Sequence, residues 1–153
     1  MVFCGSGSVG HPRCVPKTAS SLTLMRIEHI ALWTKDLERT AEFYRTYFGA
    51  KIGDKYVNAT KGFESRFLSF ADGARIELMR TTMLSPVEYE DGAQRMGLTH
   101  FAIALGSEQA VDELTRRLAT DGYAVLDGPR RTGDGYYESV VLDPEGNRIE
   151  LAA

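Results

Sequence analysis

The 153-residue sequence predicts an α+β fold in which two βαβββ modules pair their sheets. The first observation is that the tetrapeptide Arg-Ile-Glu-Leu occurs twice, at residues 75–78 and 148–151, each time after a glycine-containing turn. The second is that a strand-like segment containing a histidine also occurs twice. The histidines lie 71 positions apart (100 minus 29) and the glutamates of the tetrapeptides 73 apart (150 minus 77). These nearly equal spacings indicate an internal repeat, whose halves are each too small to bury a good core alone.

The first module begins with a predicted strand, RIEHIALW, at residues 26–33. Side chains alternate between the two faces of a strand, so Ile30 and Leu32 share one face. His29 and Trp33 lie on the opposite face. Because a helix needs the bulky face to pack on, we expect His29 to project from the other, concave side.

A helix and three strands complete the first module. Thr34 or Asp36 can cap the helix, whose apolar residues recur at helical spacing, and Gly49 ends it. An Asp-Gly turn joins the last two strands into a hairpin. The three strands are predicted at residues 51–57, 63–70 and 74–80.

The second module repeats this order. In LTHFAIAL, residues 98–105, the bulky Phe101 and Ile103 share one face and His100 lies on the other. Ser107 caps the next predicted helix and Gly122 ends it. The remaining strands are predicted at residues 123–126, 136–142 and 147–151.

Four polar residues recur at matching places in the two modules: His29, Glu77, His100 and Glu150. In each Arg-Ile-Glu-Leu strand, alternation turns the glutamate away from the bulky face, as it does the histidine. Two neutral imidazoles and two carboxylates form a suitable site for a borderline divalent cation, and the carboxylates balance its charge. A lone histidine or glutamate on a strand is more often structural, but the coincidence of all four in the repeat predicts a metal site.

Composition excludes several classes of function. Hydrophobic residues make up 43% and charged residues 25% of the chain, and the net charge is −3 at pH 7. These values are typical of a soluble domain and give no general attraction to nucleic acid or anionic membranes. The predicted body contains no cysteine, which suits a cytoplasmic protein.

The chain divides into three predicted regions. Residues 1–24 are rich in Gly, Ser and Pro and are expected to form a disordered or poorly packed tail, and residues 25–153 form the domain. Module one is assigned to residues 25–81 and module two to residues 96–153. The alternative for the tail is a zinc site made of Cys4, His11 and Cys14, although this spacing matches no common zinc pattern.

The segments IEHIAL, RIELM, LTHFAIAL and LDPEGNRIEL resemble those of the vicinal oxygen chelate superfamily, which includes glyoxalase I, extradiol dioxygenases and bleomycin-resistance proteins. The resemblance covers residues 26–151 and implies paired βαβββ modules in an open, cupped mixed sheet with helices on the outer face. It also implies one divalent metal ion, of Ni, Co, Zn, Mn or Fe, with His29, Glu77, His100 and Glu150 as its ligands.

The four-ligand pattern is similar to that of glyoxalase I, or lactoylglutathione lyase. It implies a metal-dependent lyase or isomerase that transfers a proton, through an ene-diolate, on a small substrate with vicinal oxygens. Glu150 is the first candidate for the catalytic base and Glu77 the second. The alternatives are an extradiol-type dioxygenase and a non-enzymatic drug-binding resistance protein.

The residues that would contact substrate are less sharply defined. Trp33 shares a face with His29, Arg75 either binds a substrate carboxylate or pairs with an acidic neighbour, and Tyr137 lies in a segment that is either a lid or an ordinary hairpin. Trp33 stands where bacterial glyoxalases usually have an arginine for glutathione, and Thr81 stands where they have an asparagine. The expected substrate is a small molecule, and these two departures leave open whether it is an adduct of glutathione or of another thiol. The protein is also expected to form a homodimer.

Overall fold

The structure, a computed structural model, describes residues 25–84 and 96–153. The predicted tail and the alternative zinc site at its cysteines lie outside the described residues. Within them, the α+β class and the two-module order are confirmed: two helices cover two open, mixed sheets. No helix in the described ranges is long and apolar enough to cross a membrane.

The first module forms a five-stranded sheet. Its elements are β1 (His29–Trp33), α1 (Leu37–Phe48), β2 (Lys51–Ile52), β3 (Tyr56–Asn58), a 3-10 turn (Ala59–Lys61), β4 (Phe63–Ser69) and β5 (Arg75–Thr81). The sheet order is β1-β5-β4-β2, with β3 also paired to β4. Strand β1 runs parallel to β5, whereas β4 is antiparallel to β5, β2 and β3.

The second module forms a four-stranded sheet of the same design. Its elements are β6 (Phe101–Ala104), α2 (Glu108–Thr120), β7 (Val125–Arg131), β8 (Tyr137–Leu142) and β9 (Arg148–Ala152). The sheet order is β6-β9-β8-β7, and again the first strand runs parallel to the last. The parallel pair of β6 and β9 is the structural equivalent of β1 and β5.

The predicted helix caps are confirmed. The Asp36 side chain accepts hydrogen bonds from the amides of Glu38 and Arg39, two of the N–H groups that a helix start leaves unpaired. Gly49 follows α1 with a φ of 65°, in the left-handed region that favours glycine. Ser107 caps α2 as expected, whereas the last turn of that helix is closed by Asp121 ahead of Gly122.

The prediction of a single strand at residues 51–57 is wrong, because the chain forms two short strands there, β2 and β3. The interruption lies at Gly53. Its amide donates to the Phe67 carbonyl at 2.8 Å, but its own carbonyl accepts from the Arg66 guanidinium instead of from a backbone group. A Cβ at this position would lie 3.0 Å from the Phe67 oxygen, so glycine permits this close approach.

The strand predicted at residues 123–126 is also shifted. Strand β7 runs from Val125 to Arg131 and pairs with β8, so the segment considered as a lid or a hairpin is a hairpin. Register shifts between Val125 and Asp127 and between Asp127 and Arg130 interrupt its ladder. Sequence periodicity does not reveal this strand because glycine, proline and two arginines break the alternation of apolar residues.

One face of each sheet is buried beneath its helix. Ile76 and Leu78 on β5, and Ile149 and Leu151 on β9, are almost fully buried there. The residues between them in sequence turn to the open face, as alternation requires. The sequence-based assignment of faces is therefore confirmed in both Arg-Ile-Glu-Leu strands.

The modules join through the helix-covered side. Tyr44 of α1 donates a hydrogen bond to Asp143 in the turn before β9, at 2.9 Å. Thr34 donates to Glu145 of the same turn at 2.8 Å, and the ring centroids of Phe43 and Tyr123 lie 4.8 Å apart. These contacts fix the last turn of the second module against the first.

Candidate metal centre

The parallel pairing of β1 with β5 brings His29 close to Glu77. Ala31 is the register partner of Glu77, so His29 lies two residues earlier on the neighbouring strand and on the same face. In the second module, Ala102 is the register partner of Glu150, and His100 again lies two residues earlier. The same strand geometry therefore produces the same pair of side chains twice.

Both pairs bring an imidazole and a carboxylate together on the open face. His29 Nε2 lies 3.9 Å from Glu77 Oε2, and His100 Nε2 lies 3.2 Å from Glu150 Oε2. The two glutamates are mostly buried, with side chains 18% and 20% exposed, whereas the histidines are more open. Each pair thus presents one nitrogen and one carboxylate oxygen toward a common side of its sheet.

The first pair has an additional carboxylate behind it. His29 Nδ1 lies 2.6 Å from Glu28 Oε2, a hydrogen bond that leaves the Nε2 lone pair facing Glu77 when Nδ1 carries the proton. The pKa of Glu28 is held below its usual value by this hydrogen bond and by the Arg75 guanidinium. A carboxylate that orients the far nitrogen of an imidazole is a common arrangement behind metal-binding histidines.

The two pairs do not form one cluster within a single chain. Among residues 25–84 and 96–153, no group of three or more His, Cys, Asp or Glu side chains is close enough to hold a metal ion. The structure brings His29 to Glu77 and His100 to Glu150, but it does not bring the first pair to the second. Each module therefore offers two donors, which is half of the predicted ligand set.

The residues considered for substrate contact lie in three different settings. Trp33 is on the open face, 45% exposed. Arg75 forms a salt bridge with Glu28 at 2.5 Å, so it pairs with an acidic neighbour. Its guanidinium also lies 4.0 Å from the centroid of the Phe67 ring. Tyr137 lies on the helix-covered side and donates to Asp112 of α2 at 2.7 Å, on the side opposite Glu150.

Glu138 is a further acidic residue on the open face of the second module, and sequence reasoning missed it. Its register partner on β9 is Ala152, two residues beyond Glu150, and Arg130 lies 3.4 Å from it. Partial burial and the negative charge of Glu150 raise the pKa of Glu138. The signal was present in the alternation at the start of YESVVL, in which Ser139 and Val141 are buried and Glu138 and Val140 are only partly buried.

Comparison with known proteins agrees with this architecture. A model of the Glyoxalase/Bleomycin resistance protein/Dioxygenase superfamily matches residues 26–151. The uncharacterized protein YqjT of Bacillus subtilis is 31% identical over 133 residues, covering 83% of this chain and 98% of that protein.

Two similar plant proteins have longer chains. Lactoylglutathione lyase GLX1 of Arabidopsis thaliana is 33% identical over 134 residues, which are 82% of this chain and 43% of that protein. The crystal structure of glyoxalase I from Zea mays superimposes with a TM-score of 0.67 at 26% identity, over 83% of this chain and 44% of that one. This chain thus spans less than half the length of either plant protein. From the match over nearly all of its described residues, the chain belongs to the Glyoxalase/Bleomycin resistance protein/Dioxygenase superfamily.

Proposed function

We propose that this protein is a metal-dependent lyase or isomerase of the glyoxalase I type. The reaction moves a proton between adjacent carbons of a small substrate that carries vicinal oxygens. The observation that supports it is the repeated His–Glu pair, His29 with Glu77 and His100 with Glu150, on the open faces of two equivalent sheets. Family membership and the similarity to plant lactoylglutathione lyases agree with the proposal.

The complete ligand set forms, in this proposal, between two copies of the chain. Each copy supplies His29 and Glu77 to one site and His100 and Glu150 to the other, as a two-fold dimer requires. The separation of the two pairs within one chain supports this arrangement. Strands β1 and β6 lie at the ends of their described sheets and leave backbone edges that a second copy can approach. The Arabidopsis relative is more than twice as long as its matched part, so two copies of this chain have a comparable length.

The donor set suits a divalent ion of the first transition series. Two imidazole nitrogens and two carboxylate oxygens are ligands that Ni, Co, Zn, Mn and Fe all accept, and the two negative charges balance the cation. Glu28 fits this role as the group that orients His29. When bound, such an ion supplies Lewis-acid chemistry by polarising the substrate carbonyl.

The protein's own carboxylates carry the proton. Glu150 removes a proton from the carbon that bears one oxygen, holds it, and returns it to the adjacent carbon. Glu77 is the second candidate for this role because it occupies the equivalent place in the first module. A comparison of the Glu150→Gln and Glu77→Gln variants separates them, since loss of the base lowers kcat far more than loss of a ligand that only binds.

A mixing experiment tests the shared site. One variant carries His29→Ala and Glu77→Ala, and the other carries His100→Ala and Glu150→Ala. Neither should retain metal alone, because every site then lacks one pair. After the two are mixed, unfolded and refolded together, half of the dimers are mixed and each contains one intact site. Bound nickel or zinc should therefore return to about one quarter of the wild-type amount.

The controls make the result interpretable. Circular dichroism must show that both variants fold, and metal content is measured by elemental analysis after dialysis. Full metal occupancy in either variant alone would contradict the ligand assignment. A failure of mixing to restore any metal, while the wild-type protein binds it, would contradict the shared site. Turnover of methylglyoxal with and without glutathione is then measured on the loaded wild-type protein.

A protein that sequesters an aromatic compound without chemistry is the second candidate. The exposed indole of Trp33, in edge contact with Phe63, favours it. Such a protein binds its ligand equally well before and after chelator treatment, whereas the metal-dependent enzyme loses its activity. An extradiol-type dioxygenase, by contrast, requires iron(II), oxygen and a catechol, and a fourth ligand such as Glu77 occupies a position it needs free.

A further inference from the structure

A row of uncharged side chains crosses the open face of the first sheet beside the His29–Glu77 pair. In the strand register, Trp33 faces Met79, Met79 faces Ser65 and Ser65 faces Tyr56. All four lie on the face that carries Glu77, because Glu77 and Met79 alternate with the buried residues of β5. The row thus continues the surface on which the metal ligands lie.

Aromatic contacts hold this row together. The Phe63 ring meets Trp33 edge-on at 6.2 Å between centroids and lies 6.2 Å from Tyr56. Trp33 and Tyr56 are 45% and 55% exposed, a large aromatic area to leave open to water. We define the aromatic row as the three aromatic residues Trp33, Tyr56 and Phe63 together with Met79. The buried Ser65 is left out of this definition.

The aromatic row lies within reach of a substrate held at the ligand pair. Met79 is two residues beyond Glu77 on the same strand, which places the two side chains about 6.6 Å apart along the sheet. A ring bonded directly to a vicinal-oxygen unit spans a similar length. Phe67, the register partner of Glu77, extends the apolar surface and contacts the His29 ring at 5.5 Å.

The aromatic row lacks the charge that a glutathione tail requires. A peptide carboxylate is recognised by a cation such as arginine. The four residues of the row carry none, and the nearby Arg75 is held by Glu28 and stacked on Phe67. The chemistry of this surface therefore suits a flat apolar group.

We propose that the aromatic row binds an aryl group of the substrate. This aryl group is bonded directly to the carbon unit that carries the vicinal oxygens, and it takes the place of a glutathione moiety. This inference rests on the proposed function, because it takes the ligand pair as the place where the oxygens are held. The continuity of the aromatic row with that pair favours a small molecule over a second copy of the chain as its occupant.

Two hydroxamates provide a matched pair of probes. Benzohydroxamate and acetohydroxamate chelate through the same two oxygens and differ only in having a phenyl or a methyl group. Trp33 is the single tryptophan of the chain, so its fluorescence reports directly on the aromatic row. Both probes are titrated into the zinc-loaded and the metal-free protein.

The zinc-loaded protein should bind benzohydroxamate about tenfold more tightly than acetohydroxamate, with quenching of Trp33 by the former. In the metal-free protein, millimolar benzohydroxamate should still quench Trp33, whereas acetohydroxamate should not. Phe63→Ala should abolish the preference in both fluorescence and calorimetry, and Trp33→Ala should do so in calorimetry. Tyr136→Ala removes another exposed aromatic side chain, outside the aromatic row, and should leave the preference unchanged.

The outcomes separate this inference from the proposed function. Equal affinities for the two hydroxamates on the loaded protein would overturn the aryl preference and leave the metal site standing. Failure of the protein to retain zinc, with quenching by benzohydroxamate alone, would support the aromatic row and overturn the enzyme proposal. If benzohydroxamate leaves Trp33 fluorescence unchanged in both forms, the inference is wrong. A dimer that becomes monomeric in Trp33→Ala would then assign the surface to a protein interface.

Discussion

The two modules carry the same His–Glu pair in different surroundings. In both modules, an alanine is the register partner of the glutamate, and the histidine lies two residues before that alanine. One row further along the sheet, the first module has the aromatic row, whereas the second has small and charged residues. The second set consists of Ala104, Ala152, Glu138 and Arg130. Strand register therefore fixes the His–Glu pair, while the next row of residues differs between the modules and gives each pair a different neighbouring surface.

The modules also differ behind the pair and in the final turn. Glu28 precedes His29 and bonds to it, whereas Thr99 occupies the same place before His100. Asp143, in the turn before β9, is almost completely buried against Tyr44. Asp72, in the turn before β5, is exposed. Among the hydrogen bonds of the described residues, its side chain accepts only the one from the adjacent Gly73 amide. These differences allow each module to serve as the control for the other.

The largest expected effect is loss of metal when either pair is removed. Variants with His29→Ala and Glu77→Ala, or with His100→Ala and Glu150→Ala, should each lose essentially all bound metal. Two remaining ligands per site cannot compete with buffer and water for the ion. Elemental analysis of dialysed protein checks this. A large difference between the two variants would break the equivalence of the modules, because it would leave one pair as the principal site.

The equivalence itself could be predicted from the sequence. Alternation in RIEHIALW and in the repeated Arg-Ile-Glu-Leu placed His29 and Glu77 opposite the bulky residues, and Ile30 and Leu32 do face the core. The aromatic row could not be predicted, because it depends on which residue of β1 faces which residue of β5 and β4. Those pairings join positions far apart in the chain, and no local pattern sets their register.

The separation of the two His–Glu pairs within one chain could not be predicted from the sequence either. A repeat suggests a shared site, but whether the halves meet within one chain or between two copies depends on how the modules dock. Docking is governed by contacts such as Tyr44 with Asp143, which join distant segments. Tyr137 shows a simpler limit: its face follows from Ser139 and Val141, but only once the bounds of β8 are known.

The second prediction concerns the turn of the second module. Asp143→Ala should lower the free energy of unfolding by about 3 kcal/mol, because it leaves buried donors without their acceptor. The carboxylate accepts hydrogen bonds from Tyr44, from the side chain and amide of Asn147, and from the amide of Glu145. Urea unfolding monitored by circular dichroism measures the change. Asp72→Ala is the matched control and should produce no comparable loss, since its side chain is exposed.

The third prediction concerns the carboxylate behind the first pair. Glu28→Gln should weaken metal binding about tenfold, because the amide holds the His29 ring less firmly and donates less electron density to it. Thr99→Ala, at the equivalent place in the second module, should leave the affinity unchanged. Competition with a chromogenic chelator measures both. An equal loss in the two variants would indicate a general effect of the preceding residue on its strand.

A weaker effect should be a dependence of stability on pH that arises from Asp143 in the turn of the second module. Burial raises the pKa of Asp143 above its usual value of 3.8, despite hydrogen bonds from Asn147, Tyr44 and Glu145 that oppose the shift. The folded state then binds the proton more tightly than the unfolded chain, so this contribution to stability is fully present below the unfolded pKa. It is lost as the pH rises through the folded pKa.

The Asp143→Asn variant isolates this contribution, because its side chain does not titrate and all other carboxylates cancel in the comparison. The unfolding free energy of the wild-type protein minus that of the variant should decrease as the pH rises from about 4 toward neutrality. A wild-type advantage that grows with pH would mean that the four hydrogen bonds outweigh burial. In that case the turn of the second module would hold its carboxylate as an anion, and the joint between the modules would be strongest at neutral pH.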